Sequence, residues 1–326
     1  MNELNSNNFE YKRNVVLYGI MGLCIGDALG VPVEFLSRES LKKKPVEEML
    51  GYGTHNQPQG TWSDDTSLTL ALIDALIEEN YTTEKIGGKF IDWYYKGKYT
   101  PHGEVFDIGI ATRKALDKIK NGVKAEEAGG KTEYDNGNGS LMRILPLAFY
   151  LIDEEDIEKR VKIIYEVSGI THGHIRSKVA CHMYVEMAIN LIKGKDLFES
   201  YINMVRALKE YYKNKLSEEE LEIFHDLFSE KIGNKNENNI ESSGYVIHTL
   251  EASIWCLLNT TSYKEAVLKA VNLGEDTDTT AAVTGGLAGI YYGFHGIPIK
   301  WIVCTAKTDE IYDLCNKLYR KCFELN

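Results

Sequence analysis

Two short polar clusters, far apart in the chain, each open a strongly apolar run: Trp62-Ser63-Asp64-Asp65-Thr66 and Gly274-Glu275-Asp276-Thr277-Asp278-Thr279-Thr280. Taken one at a time they read as helix starts, with Ser63 and one Asp or Thr as caps and the other acids favoured by the helix dipole. One cap satisfies the free amides, however, and further carboxylates packed beside it repel one another. A cation removes that repulsion. Asp64, Asp65, Asp276 and Asp278, with the hydroxyls of Ser63 and Thr279, make an all-oxygen donor set that suits hard Mg²⁺ or Mn²⁺ and suits zinc poorly. Four carboxylates suffice for two ions, and two ions roughly 3.5–4 Å apart can orient a substrate oxygen and generate a nucleophile.

Other chemistry-bearing positions are scattered between these clusters. Asp27 sits inside an apolar helix, where an internally bonded structural acid is expected, while Glu34 follows a proline turn and is free to face a cleft. Asp107, in Phe106-Asp107-Ile108-Gly109, reads on its own as a helix N-cap. The segment Asn136-Gly137-Asn138-Gly139-Ser140-Leu141-Met142-Arg143 is a glycine loop entering a helix whose first amides suit a diphosphate, although such loops are common without one. His172 and His174 read as ligands, as a ribose contact or as ordinary loop histidines, and their spacing is not that of the HExxH zinc pair. No P-loop, nucleophile elbow or dinucleotide fingerprint is present.

The elements that must position these residues read almost wholly as helices. Gly19, Gly22, Gly26 and Gly30 fall on one face of a helix over Val15 to Val31, and Ala281, Gly285, Gly289 and Gly293 form a second small-residue stripe, so two backbones are expected in close contact. Helical patterns run over Asp64 to Asn80, Lys85 to Tyr95, Ile108 to Lys120, Ser140 to Tyr150, Asp156 to Ser168 and Ile175 to Lys193. A charged stretch from Lys195 reads as an outer helical pair, Tyr201 to Lys213 and Ser217 to Phe228, and Gly233 to Ser243 is the one internal boundary the composition offers. The expected architecture is all-α: a compact orthogonal bundle in a single domain over residues 1–326, with a metal cleft and a charged helical insertion around residues 195–243.

Composition narrows the partners. The chain has 326 residues, 37 Lys and Arg against 48 Asp and Glu, and a net charge of −11, which opposes a long-range pull toward nucleic acid or anionic lipid. Six cysteines without a CxxC pair fit a reduced, cytoplasmic setting. The start is polar and Asn-rich, unlike a signal peptide, and the apolar run Val15 to Gly26 meets Asp27 well short of the roughly 20 residues of a membrane span, so no membrane is expected. A chain this long can bury its own core, so a monomer is expected.

Taken in order, the motifs GDALGVPVEF (Gly26 to Phe35), WSDDT (Trp62 to Thr66), FDIG (Phe106 to Gly109), NGSLMR (Asn138 to Arg143), Thr171-His172, SGYVIHTLEA (Ser243 to Ala252) and GEDTDTTAA (Gly274 to Ala282) resemble those of the ADP-ribosylglycohydrolase family over nearly the whole chain. The resemblance implies an all-α fold with a dinuclear Mg²⁺ or Mn²⁺ centre held by Ser63, Asp64, Asp65, Asp276, Asp278 and Thr279. It places Ser140, Leu141 and Met142 at the diphosphate and ribose, His172 and Tyr245 at the nucleoside side, and Asp107 and Glu34 in catalysis. The FDIG motif implies cleavage of arginine-linked ADP-ribose from a modified protein; THGHIRS departs from relatives that carry a proline soon after the histidine. The competing expectations are an ADP-ribose-binding protein without catalysis, and a hydrolase of a serine, nucleobase or small-metabolite linkage.

Overall fold

The computed structural model describes residues 2–293 and 296–324, with side chains from residue 15 onward. Among the described residues there are seventeen α-helices and no β-strand. The all-α expectation therefore holds, and the reason lies in three helices that are apolar on nearly every face.

The first, Asn2–Gly30, lies against the third, Thr277–Tyr292, along the two small-residue stripes. A β-carbon placed on Gly26 would stand 2.1 Å from the Ala281 carbonyl oxygen, and one on Gly22 would stand 2.4 Å from the Gly285 oxygen. Only glycine permits such an approach. Gly293, expected in the stripe, instead ends its helix at φ 64° with nothing nearby. The Tyr263 hydroxyl donates to the Gly22 oxygen at 2.7 Å and the Thr277 hydroxyl to the Gly30 oxygen at 2.9 Å, which fixes the register of the pair.

The second core helix, Asp64–Leu76, begins at the expected Ser63 cap but stops four residues before Asn80. Between its start and the first helix stands Asp27, which accepts from the Ser63 amide at 2.8 Å and from the Thr66 amide and hydroxyl at 3.0 and 2.6 Å. This buried carboxylate satisfies two amides that the helix cannot satisfy itself. It also corrects the reading of the apolar run. Val15–Val33 carries the length and hydropathy of a membrane span straight through Asp27, and 89% of that stretch is buried inside the fold.

Two further expectations change. Ser140 to Arg143 forms a series of turns, and helix begins only at Pro146, because Pro146 lacks the amide an interior helical position needs and is suited to a first turn. The charged stretch gives one long helix, Leu197–Tyr212, whose Tyr201, Met204, Val205 and Leu208 are buried, followed by two short ones, Glu218–Ile223 and His225–Phe228. The loop expected as a boundary is pinned by Arg38, which donates to the Leu273 and Glu237 oxygens at 2.8 Å each and also to Ile240.

Candidate active site

The starts of the Asp64–Leu76 and Thr277–Tyr292 helices meet at the point where the first helix ends. Gly30 is pressed against Asp278: a β-carbon there would lie 2.3 Å from the Asp278 α-carbon. The Thr279 hydroxyl reaches Asp65 Oδ2 at 3.4 Å, and the Ser63 hydroxyl donates to the same oxygen at 3.2 Å. Of the six residues expected as metal ligands, Ser63, Asp64, Asp65, Asp278 and Thr279 are buried here and Asp276 is partly exposed.

Glu34 enters the same cluster from the turn Val31–Val33. One oxygen each from Glu34, Asp276 and Asp278 lie within 4.8 Å of one another, and so do ligand atoms of Glu34, His55 and Asp107. Asp107 is not an N-cap. It takes a left-handed backbone conformation, φ 47°, so the following helix, Ile110–Lys120, is capped by Gly109 and the acid is turned toward the cluster.

The electrostatics follow from burial of like charges. Burial, then the Asp107 and Asp65 carboxylates, push Asp64 well above the usual range; burial, then Glu34 and Asp65, do the same to Asp278. Asp65 is pushed well up by burial and by Asp27, and Asp276 and Asp107 are raised chiefly by burial. Glu34 rises to about 7, mainly through burial, against a lowering bond from His55. Among the described residues, His55 is the basic side chain bonded to any of these acids. Asp65 Oδ1, Asp276 Oδ1 and Asp278 Oδ2 are buried without a hydrogen-bond partner. Unpaired carboxylate oxygens from two helix starts, with no lysine or arginine bonded to them among the described residues, fit hard divalent ions.

The expected substrate side is assembled by backbone pairing. Gly137 bridges to Tyr245 and Gly130 to His172; the Val246 amide donates to Asn136 and the Asn138 amide to Gly244, both at 3.0 Å. The Asn138 side chain links this loop to the acids by donating to Asp276 Oδ2 at 2.8 Å. The Ser140 hydroxyl turns inward, accepting from Ser168 at 3.0 Å and lying 3.4 Å from Cys181 Sγ, and Leu141 and Met142 are buried. The Gly139, Ser140 and Leu141 amides donate to no backbone oxygen among the described residues.

His172 lies beneath the glycine loop. Arg143 donates to Thr171 Oγ1 at 2.8 Å, that hydroxyl shares a hydrogen bond with His172 Nδ1 at 2.9 Å, and the ring's Nε2 lies beside Gly137. Burial and the nearby Arg143 push its pKa down to about 3, so this ring is neutral. Tyr245 caps the Val246–Leu258 helix, half-buried, with its ring edge-on to His248. Three contributors were not singled out in the sequence: His55, Asn138 and the buried Arg143. The turn chemistry around His55, with Gly53 and Asn56 flanking it, was the available signal.

The sequence pattern of the ADP-ribosylglycohydrolase family matches residues 10–325. The chain belongs to that family. It is 32% identical over 306 residues to the ADP-ribosylarginine hydrolase Tri1 of Pseudomonas putida (strain GB-1), covering 92% of this chain and 76% of that one. It is 29% identical over 290 residues to the ADP-ribosyl-[dinitrogen reductase] glycohydrolase of Rhodospirillum rubrum, covering 88% of each. Among solved structures, an ADP-ribosylglycohydrolase-related protein complex superposes with a TM-score of 0.80 at 28% identity, covering 96% of this chain and all of that one.

Proposed function

We propose that this family member hydrolyses the N-glycosidic bond between ADP-ribose and an arginine side chain of a modified protein, with two Mg²⁺ or Mn²⁺ ions held by Ser63, Asp64, Asp65, Asp276, Asp278 and Thr279. The observation that carries the reading is the convergence of buried, unpaired carboxylates from two helix starts onto Glu34 and Asp107. The similarity to arginine-specific hydrolases supports the linkage.

When bound, the ions supply Lewis-acid contacts to ribose hydroxyls and lower the pKa of a water. The chain's own residues do the rest. The Gly139, Ser140 and Leu141 amides receive the diphosphate, and Tyr245 lines the nucleoside side. Glu34 faces the anomeric carbon and stabilises the positive character that develops as the C–N bond breaks. Asp107, raised by burial, holds a proton for the departing guanidine nitrogen. Water adds to the anomeric carbon and gives its proton to the Asp107 carboxylate, leaving free ADP-ribose and unmodified arginine. Six free thiols support a reducing, cytoplasmic setting, and a chain of this length can bury its own core as a monomer.

The test is mass-resolved release of ADP-ribose from an arginine-modified protein, with Mg²⁺ or Mn²⁺ and with chelator. Release is expected only with metal, and Asp65→Ala and Asp278→Ala should abolish it with helix content unchanged. Absence of release alongside tight ADP-ribose binding would replace the hydrolase by a binding protein, and release from a serine-linked substrate alone would reassign the linkage.

A further inference from the structure

We infer that His55 is a positioning residue for this hydrolysis, clamping the Glu34 and Asp107 segments against each other so that the two acids meet one substrate. The inference rests on the hydrolase reading above. His55 belongs to a turn, Gly53–His55, that is planted on the stretch carrying Glu34. The Thr54 hydroxyl donates to the Glu34 backbone oxygen at 2.7 Å, and a β-carbon on Gly53 would lie only 1.8 Å from the Pro32 oxygen. From that base His55 Nε2 donates to Glu34 Oε2.

The ring then spans both acid segments. Its centroid lies 6.0 Å from that of Phe35, which follows Glu34, and 5.4 Å from that of Phe106, which precedes Asp107. Phe35 and Asp107 both hold left-handed backbone conformations, φ 64° and 47°, which non-glycine residues keep only when their surroundings enforce them. Phe35 is held by its amide, which donates to the Glu275 oxygen at 2.7 Å, while the Glu275 amide donates to the Leu36 oxygen at 2.8 Å. The Asp107 side has no hydrogen bond to the Glu34 side among the described residues, and the ring of His55, bonded to Glu34 and packed against Phe106, joins the two. Glu34 also faces Asp276 and Asp278, whose like charges push its carboxylate away; the bond from Nε2 holds it in place.

Two variants separate the bond from the packing. His55→Phe keeps a ring between Phe35 and Phe106 and removes the donor, whereas His55→Gln keeps a donor of similar reach and removes the ring. The expected result is a fall of about 10²-fold in kcat for His55→Phe at nearly unchanged KM, the loss that a misplaced reacting group produces, and recovery of part of that loss in His55→Gln, which restores the bond to Glu34 without the ring contacts. Melting curves of both variants show that the comparison is between folded proteins. A His55→Phe enzyme with wild-type kcat, or a His55→Gln enzyme as slow as His55→Phe, overturns the inference while wild-type turnover leaves the hydrolase reading intact. A wild-type protein that releases no ADP-ribose removes that reading itself.

Discussion

Replacing one acid of the cluster should make the metal-free protein more stable, not less. Glu34, Asp276 and Asp278 bring oxygens within 4.8 Å of one another. Two unit charges at that distance in an effective dielectric near 20 repel by about 3 kcal/mol. Asp278→Asn removes this repulsion from both neighbours, and partial protonation of the remaining acids reduces the gain to about 3 kcal/mol in all. For 326 residues unfolding with the usual entropy per residue, that is roughly 4 °C in Tm.

The sign with pH follows from the direction of the shifts. Asp27 is raised to about 6 and Glu34 to about 7, both chiefly by burial, and Asp278 well above its ordinary value. Groups raised in the folded state contribute full stability below their unfolded pKa and lose it as pH climbs through the folded one. Metal-free wild type should therefore lose stability from about pH 4 to 7 and beyond, and the advantage of Asp278→Asn should be small at pH 5 and larger at pH 8. Mn²⁺ should then raise the wild-type Tm and leave the variant nearly unmoved, since ligands stabilise only through the site they bind. Melting curves by circular dichroism, in chelator and in Mn²⁺ at both pH values, read all four quantities. A variant less stable than wild type at pH 8 in chelator, or equally responsive to Mn²⁺, would refute this account of the cluster.

Gly26→Ala should destabilise the fold by about 3 kcal/mol, the upper end for overpacking, because its β-carbon would meet the Ala281 carbonyl at 2.1 Å; a denaturant midpoint equal to wild type would contradict the backbone contact. Ser140→Ala should lower stability by about 1 kcal/mol through the lost bonds to Ser168 and Cys181 while leaving KM for the ADP-ribosyl substrate unchanged, and a raised KM would show that the hydroxyl, not the backbone, meets the ligand.

What could be read from the residues alone divides along physical lines. The glycine faces and the acidic helix starts were legible because helical periodicity and charge repulsion act over a few residues. Asp107 reads as a cap on its own spacing because its left-handed conformation is imposed by neighbours distant in sequence. The turns over Ser140 to Arg143 were misread because Leu141, Met142 and Ile144 are apolar at helical spacing, whereas tertiary contacts of Arg143 and Ser140 decide the backbone there. His55 left almost no local trace, since a histidine in a polar turn acquires its partner only when the turn docks on Pro32 and Glu34.

Packing and chemistry meet at Gly30. The small-residue faces bring the first helix and Thr277–Tyr292 so close that the end of one touches the start of the other, and this contact sets Asp278 beside Glu34. Asp27, three residues earlier, ties the same helix end to Ser63 and Thr66, and so to Asp64 and Asp65. Both pairs of acids are thus located by one rigid helix terminus rather than by loops, and both stand in first helical turns, where the backbone dipole eases the confinement of negative charge. A site built in this way can keep several carboxylates close together, and the strain it retains is what a divalent ion would relieve.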